Sequence, residues 1–119
     1  MGTRELGRFG EERAARYLRL RGYRIVETNY SSRLGEIDLI ARRGKYLVFV
    51  EVKLRKSADF AAAREFVTAA KQQRIRSTAA LYLAQNETEL QPRFDVIEIY
   101  APNGASGRVT INHIEDAFS

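Results

Sequence analysis

Asp38, Glu51 and Lys53 are the residues of this chain whose types and spacing could do chemistry. Both acids fall in runs that otherwise read as buried β-strands, Gly35-Glu36-Ile37-Asp38-Leu39-Ile40 and Val48-Phe49-Val50-Glu51-Val52-Lys53. A buried carboxylate costs several kcal/mol unless it is paired, hydrogen-bonded or bound to a metal. The fold must therefore neutralise Asp38 and Glu51 or use them.

Side chains along a strand change face at every residue. Glu51 and Lys53 accordingly share a face with Leu47 and Phe49, while Tyr46, Val48, Val50 and Val52 make the other. In the preceding strand Glu36, Asp38 and Ile40 oppose Gly35, Ile37, Leu39 and Ala41. Apolar residues on both faces mark inner strands of a covered sheet. Arg42-Arg43-Gly44-Lys45 supplies the turn, and an antiparallel hairpin through it brings Asp38 near Glu51. Placed so, the pair makes a divalent-cation site with Lys53 beside it. The alternatives are a salt bridge between Glu51 and Lys53, and an Asp38 that caps a turn or pairs with Arg33 or Arg42.

Composition narrows the chemistry. With no cysteine and His113 as the single histidine, disulfides, thiolate zinc sites, cysteine nucleophiles and histidine metal clusters are excluded. An oxygen-only donor set selects magnesium or manganese. The 119 residues suit a single domain over 1–119, with apolar content for one core. No apolar run is long enough to cross a bilayer, and the arginine-rich start lacks the apolar segment of a secretory signal, so the expectation is a cytoplasmic protein with no membrane contact. A net charge of +5 and a pI near 9.8 indicate a polyanionic partner, because cations that neutralise phosphates gain affinity by releasing counterions. Arg4, Arg8, Arg13, Arg16, Arg19, Arg21 and Arg24 precede the first strand, and Arg42, Arg43, Lys45, Arg55 and Lys56 are expected near the carboxylates. The alternative for these charges is a solvated basic surface.

The elements that must position the site read as helix, three strands, helix, strand, short strand and terminal helical turn. Glu11 to about Leu20 is the first helix, ended by Gly22, with a strand over Tyr23 to Thr28 and a polar loop over Asn29 to Leu34. Ser57 to Phe66 is alanine-rich but unphased, a loop or marginal helix expected to order over a substrate. Thr68 is the N-cap of a helix running to about Asn86. Arg93 to Tyr100 is a strand, Pro102-Asn103-Gly104 a turn, Val109 to Asn112 a last strand, and Ile114 to Phe118 the helical turn. Glu11 lies at the border of the apolar stripe of Ala14 and Leu18. Gln72 is in line with Ile75, Ala79 and Leu83, with Lys71 flanking and Arg74 farther round. Pairing with an arginine is the alternative for Glu11, and a hydrogen bond to buried backbone is that for Gln72. Glu36 reads as a solvated loop-edge residue and Asp95 as a structural hydrogen-bonding group. His113 reads as a surface or satisfied histidine and is assigned no role.

An aspartate on one strand and Glu-x-Lys on the next resemble the core of the restriction-endonuclease-like nucleases. More closely, Gly-Glu-Ile-Asp-Leu-Ile, Val-Phe-Val-Glu-Val-Lys, Lys71-Gln72-Gln73-Arg74 and Arg93-Phe94-Asp95-Val96-Ile97 resemble the bacterial YraN-like family, placed near archaeal Holliday-junction resolvases. The resemblance runs from about Gly10 to Phe118. It implies an α/β restriction-endonuclease-like core, a mixed central β-sheet flanked by helices. It also implies that Glu11 from the first helix and Lys71 and Gln72 from the second approach the metal site.

The mechanism that fits is metal-assisted phosphodiester hydrolysis, with Asp38, Glu51 and the Val52 carbonyl holding Mg2+ or Mn2+. Lys53 would orient water and stabilise developing charge, Gln72 would position water or phosphate, and Glu11 would complete the metal shell or take a proton through water. The expected function is a metal-dependent endonuclease acting on DNA, branched or structured DNA included. The alternatives are a nucleic-acid-binding accessory domain of DNA repair with a vestigial nuclease core, and a basic structural protein whose acids are only salt-bridged. A homodimer or a protein partner is compatible with either nucleic-acid reading.

Overall fold

A computed structural model of the chain describes residues 3–55 and 67–119. Its elements run α1 (Thr3–Leu20), β1 (Arg24–Ser32), β2 (Gly35–Arg43), β3 (Tyr46–Arg55), α2 (Ala69–Gln85), β4 (Gln91–Tyr100), a 3₁₀ turn (Gly104–Ser106) and β5 (Thr110–Phe118). The five strands form one mixed sheet in the order β1-β2-β3-β4-β5, parallel only between β3 and β4. Antiparallel strands can be joined by tight turns, but the parallel pair needs a crossover, and α2 lies in it. A mixed sheet flanked by two helices is the expected α/β class and is compatible with a restriction-endonuclease-like core.

Each helix covers one face. Ala14, Ala15 and Leu18 of α1 pack on Leu39, Ala41, Val48, Val50, Ile97 and Ile99. On the opposite face Ile75, Ala79 and Tyr82 of α2 pack on Ile40, Leu47, Phe49 and Val96. β2 and β3 are thus apolar on both sides because both sides are covered. Among the described residues no helix is long and apolar enough to cross a membrane.

The expected boundaries hold where local chemistry sets them. Gly22, at φ +88, follows α1, and Thr68 caps α2 by accepting from the Lys71 amide at 3.1 Å. Gly44 and Lys45 form the turn between β2 and β3. Three expectations are corrected. Helix α1 begins at Thr3 rather than Glu11. The polar stretch after Thr28 is strand as far as Ser32, because Tyr30 stacks edge-on against Tyr82 at 5.2 Å and its hydroxyl donates to Gln85, drawing β1 along α2. The expected helical turn at Ile114 to Phe118 is the end of β5. Asp116 adopts φ +51 within it, so Ile114, Ala117 and Phe118 reach the same core with helix-like spacing from a bulged strand. The loop or helix expected at Ser57 to Phe66 lies outside the described residues.

A polar network is built into the α1 face. Asp95 is fully buried and accepts from Arg93 Nε at 2.9 Å and Nη2 at 2.8 Å, and from the Asp116 amide at 3.0 Å. His113 Nε2 lies 2.7 Å from its Oδ2, Tyr17 Oη is 3.2 Å from His113 Nδ1, and Arg93 also donates to the Tyr23 hydroxyl. Burial pushes the Asp95 carboxyl upward, but the bonds from His113, Arg93 and the Asp116 amide outweigh it and hold the group below its ordinary range. Asp95 thus has the structural role expected of it, and His113 is a satisfied, buried histidine. Removing one partner of such a network strands the others, so Asp95→Ala should lose about 3–5 kcal/mol in urea unfolding. Asp95→Asn, which still accepts one of these bonds, should lose less. A loss below about 1 kcal/mol for Asp95→Ala would contradict this account.

Candidate active site

The β2–β3 ladder stops at Leu39 opposite Val50. Continued by the same register, Ile37 would sit opposite Val52 and its carbonyl would take the Val52 amide. Instead the Asp38 side chain does so, with Oδ2 accepting from Val52 N at 2.8 Å. A side-chain carboxylate has replaced a main-chain acceptor, and beyond it β3 pairs with β4 alone. The two strands part there, and the parted end is where the candidate groups meet.

Alternation along β2 breaks at the same residue. Leu39 and Ala41 join the α1 core as expected, but Ile37 joins the α2 core together with Ile40. The strand has lost phase by one residue at Asp38. Opposite it in β1, Asn29 has φ +51 and is skipped between the pairs Thr28↔Leu39 and Tyr30↔Ile37. This paired irregularity turns Asp38 out of the ladder toward β3. The expectation that Ile37 shares a face with Leu39 is therefore corrected, yet Asp38 still arrives beside Glu51.

The two carboxyl groups are close neighbours, near enough that Glu51 acts on the ionisation of Asp38. Burial, with the charge of Glu51 beside it, pushes the Asp38 carboxyl up to about 7 against the opposing pull of the Val52 amide, and Glu11 adds a smaller push. Glu51 is 5 % exposed, and its Oε2 lies 3.3 Å from Lys53 Nζ and 3.5 Å from Lys71 Nζ. Lys53 follows Glu51 on the same side of β3, and Lys71 reaches down from the first turn of α2. Residues of a strand direct N–H and C=O to the same neighbour. The Val52 carbonyl therefore also leaves β3 on the side of Asp38.

Of the other candidates, Glu11 is half-buried on α1, one turn before Ala14 and Ala15, and lines a cleft with Thr28, Asn29 and Leu39. It approaches Asp38 from the α1 face, whereas Lys71 approaches Glu51 from the α2 face. Gln72 donates from Nε2 to the Val67 carbonyl at 2.9 Å, which ties down the entry to α2 and so places Lys71. Glu36 is exposed, as expected. The basic turn does not belong to this region: Arg42, Arg43 and Lys45 sit at the opposite end of β2 and β3, about 17 Å from the carboxylates at roughly 3.4 Å per residue. Arg55 is directed to buried Glu98, at 4.0 Å. Arg33, read from the sequence only as an alternative partner of Asp38, and Arg74, placed farther round α2, instead line a cleft with Lys71. The i, i+3 spacing of Lys71 and Arg74 is the signal that could have joined Arg74 to Lys71.

Among the described residues no three His, Cys, Asp or Glu side chains gather into a complete cage for a metal ion. Magnesium does not require one. It is commonly held by one or two carboxylates with water and substrate phosphate completing the shell. Two adjacent carboxyls, with a main-chain carbonyl on the same side, are an oxygen donor set of that kind.

The raised Asp38 has a sign that can be checked. Between its ordinary value near 3.8 and about 7 the folded state binds a proton that the unfolded state has released. Its contribution to stability is complete below the lower value and is lost as pH rises through the upper one. Without metal, the stability of the wild type relative to Asp38→Asn should fall between about pH 4 and pH 8 in thermal melts. An advantage that grows with pH would mean that Asp38 is an ordinary ion-paired carboxylate.

A family model described as "Uncharacterised protein family UPF0102" matches residues 10–99. A UPF0102 protein of Symbiobacterium thermophilum is 47% identical over 117 residues, covering 98% of each chain. A second, from Caldanaerobacter subterraneus subsp. tengcongensis, is 44% identical over 119 residues, covering 99% of this chain and 98% of its own. A third, from Rhodococcus opacus, is 44% identical over 114 residues and 95% of each chain.

Proposed function

This chain belongs to the uncharacterised protein family UPF0102, and we propose that it is a metal-dependent nuclease that hydrolyses phosphodiester bonds of DNA. The observation that carries this reading is the close approach of the Asp38 and Glu51 carboxyls where β2 and β3 part, with the Val52 amide on Asp38 and Lys53 and Lys71 on Glu51. Two acids held together in a mostly buried place oppose each other's ionisation, and a divalent cation removes that opposition. Asp38, Glu51 and the Val52 carbonyl would hold magnesium or manganese, and the chemistry it would supply there is polarisation of a phosphoryl oxygen and a lower pKa for water.

The protein groups supply the rest. The Val52 amide fixes the Asp38 carboxylate in one orientation, and the two ammonium groups fix Glu51. Lys53 donates to the negative charge that grows on the phosphate during attack, and Lys71 adds a second cation on the α2 side. Gln72 acts by holding the end of α2 that carries Lys71. Glu11 takes a proton from water on the α1 side. The net charge of +5 favours a nucleic-acid substrate and steers its approach.

Cleavage of duplex, single-stranded, flapped and four-way DNA with magnesium or manganese tests this. Wild type should cut at least one of these substrates only when metal is present, and Glu51→Ala and Lys53→Ala should each lose about a hundredfold or more. Either ion should also stabilise wild type, by about 2.7 kcal/mol at a hundredfold excess over Kd, and so raise its melting temperature while leaving that of Glu51→Ala unmoved. No metal-dependent cleavage, together with melts indifferent to both ions, would overturn the proposal. The contacts of Lys53 and Lys71 with Glu51 favour a second reading, since they neutralise that carboxylate without a cation. A DNA-binding accessory domain with a vestigial core would bind DNA equally well as wild type and as Glu51→Ala, and cut with neither.

A further inference from the structure

Beside the carboxylate pair, the tip of the β1–β2 hairpin and the first turns of α2 enclose an open cleft of about 360 Å³. Arg33, Lys71 and Arg74 line it, against the single carboxylate of Glu36. Arg33 and Arg74 are exposed, and none of the ion pairs among the described residues takes up either guanidinium. Arg93, by contrast, spends its charge on Asp95 and Glu115.

The cleft is built by local structure on both of its walls. Ser32 Oγ accepts from the Leu34 amide at 3.0 Å, closing the hairpin tip that carries Arg33. Gly35 seats the hairpin on α2: at φ +150, a Cβ there would lie 3.0 Å from Thr78 Oγ1 and 3.4 Å from Arg74 Cβ. Only glycine tolerates both that conformation and that approach. Thr78 in turn donates to the Arg74 carbonyl at 2.7 Å, fixing the turn of helix from which Arg74 projects. Lys71 belongs to both places, lining the cleft while its Nζ stands 3.5 Å from Glu51. The cleft therefore opens directly beside the parted end of β2 and β3.

We propose that this cleft is a phosphate subsite, in which Arg33 and Arg74 hold a phosphodiester flanking the one at Asp38 and Glu51 on the same nucleic-acid strand, with Lys71 between the two. It rests on the reading of the carboxylate pair as the place of a substrate phosphate. Guanidinium groups suit the task because their planar forks donate two hydrogen bonds to one phosphate. Holding a neighbouring phosphate fixes the strand's register at the carboxylates without reading any base. The subsite thus selects a polyphosphodiester strand over an isolated phosphate ester.

The test is fluorescence anisotropy of labelled single-stranded and duplex DNA in EDTA, across a range of salt, so that no cleavage is needed for the readout. Arg33→Ala/Arg74→Ala should bind at least tenfold more weakly than wild type at low salt, with the slope of log K on log salt smaller by about 1. The charge-matched control Arg42→Ala/Lys45→Ala, at the far end of β2 and β3, should change affinity by less than threefold. Circular dichroism melts of both variants separate loss of binding from loss of fold, and Arg33→Lys/Arg74→Lys should recover most of the salt slope. Equal weakening in the two double variants, or an unchanged Arg33→Ala/Arg74→Ala beside a wild type that binds, would overturn the subsite and leave the carboxylate pair's role standing. A wild type that binds no DNA at low salt would overturn the subsite, and the cleavage and melts with metal decide the carboxylate pair separately.

Discussion

The hydrogen bond from the Val52 amide to the Asp38 carboxylate is the contact on which the candidate site depends. It ends the β2–β3 ladder by giving the last amide a side-chain acceptor in place of a main-chain one. Without it the register would carry on, Ile37 would face Val52, and no gap would open between two otherwise well-paired inner strands. With it, β3 continues alongside β4 while β2 turns away toward its hairpin with β1. Edge formation inside a sheet is costly because freed amides need partners. Here the group that satisfies the amide is also the group proposed to hold the metal.

This economy explains the unusual state of the carboxylates. Asp38 cannot retreat from Glu51 without abandoning the Val52 amide, and Glu51 is held by two lysines from different elements, one on its own strand and one on α2. The like charges stay together because each acid has a partner other than its neighbour. What remains between them opposes ionisation, so that burial and the charge of Glu51 push the Asp38 carboxyl up to about 7. On the proposed reading a proton and a divalent cation are alternative occupants of the same place. The DNA-cleaving reading proposed above rests on that competition.

The buried Asp95 network is the counterexample within the same sheet. It too sets a carboxylate among apolar strands, but an arginine fork, a histidine and a main-chain amide satisfy it fully and hold it below its ordinary range, whereas Asp38 is displaced upward. The opposite directions of the two displacements separate a carboxylate satisfied by cations and donors from one buried beside a second acid. Both acids lie one residue from apolar strand neighbours in the chain, so their local patterns do not tell them apart.

Much of this molecule is legible in one dimension. Apolar runs on both faces identify β2 and β3 as inner strands, Gly44 marks their turn, Thr68 and Asn86 bracket α2, and the absence of cysteine with one histidine confines any metal to oxygen donors. These are local matters of propensity, turn chemistry and donor type, so the chain determines them by itself. The pairing of Asp38 with Glu51 was legible too, though strict alternation misplaced Ile37, because the phase slip at Asp38 depends on Asn29 in another strand. The strand ending at Phe118 was misread for a like reason: a bulge at Asp116, whose amide is claimed by Asp95 twenty-one residues earlier, imitates helical spacing. Only the tertiary structure sends Arg42, Arg43 and Lys45 to the far end of the sheet and brings Lys71, Arg33 and Arg74 to the near one. Charge counts along a sequence carry no direction, and it is the packing of α2 on the Gly35 hairpin that decides which cations share a cleft with the carboxylates.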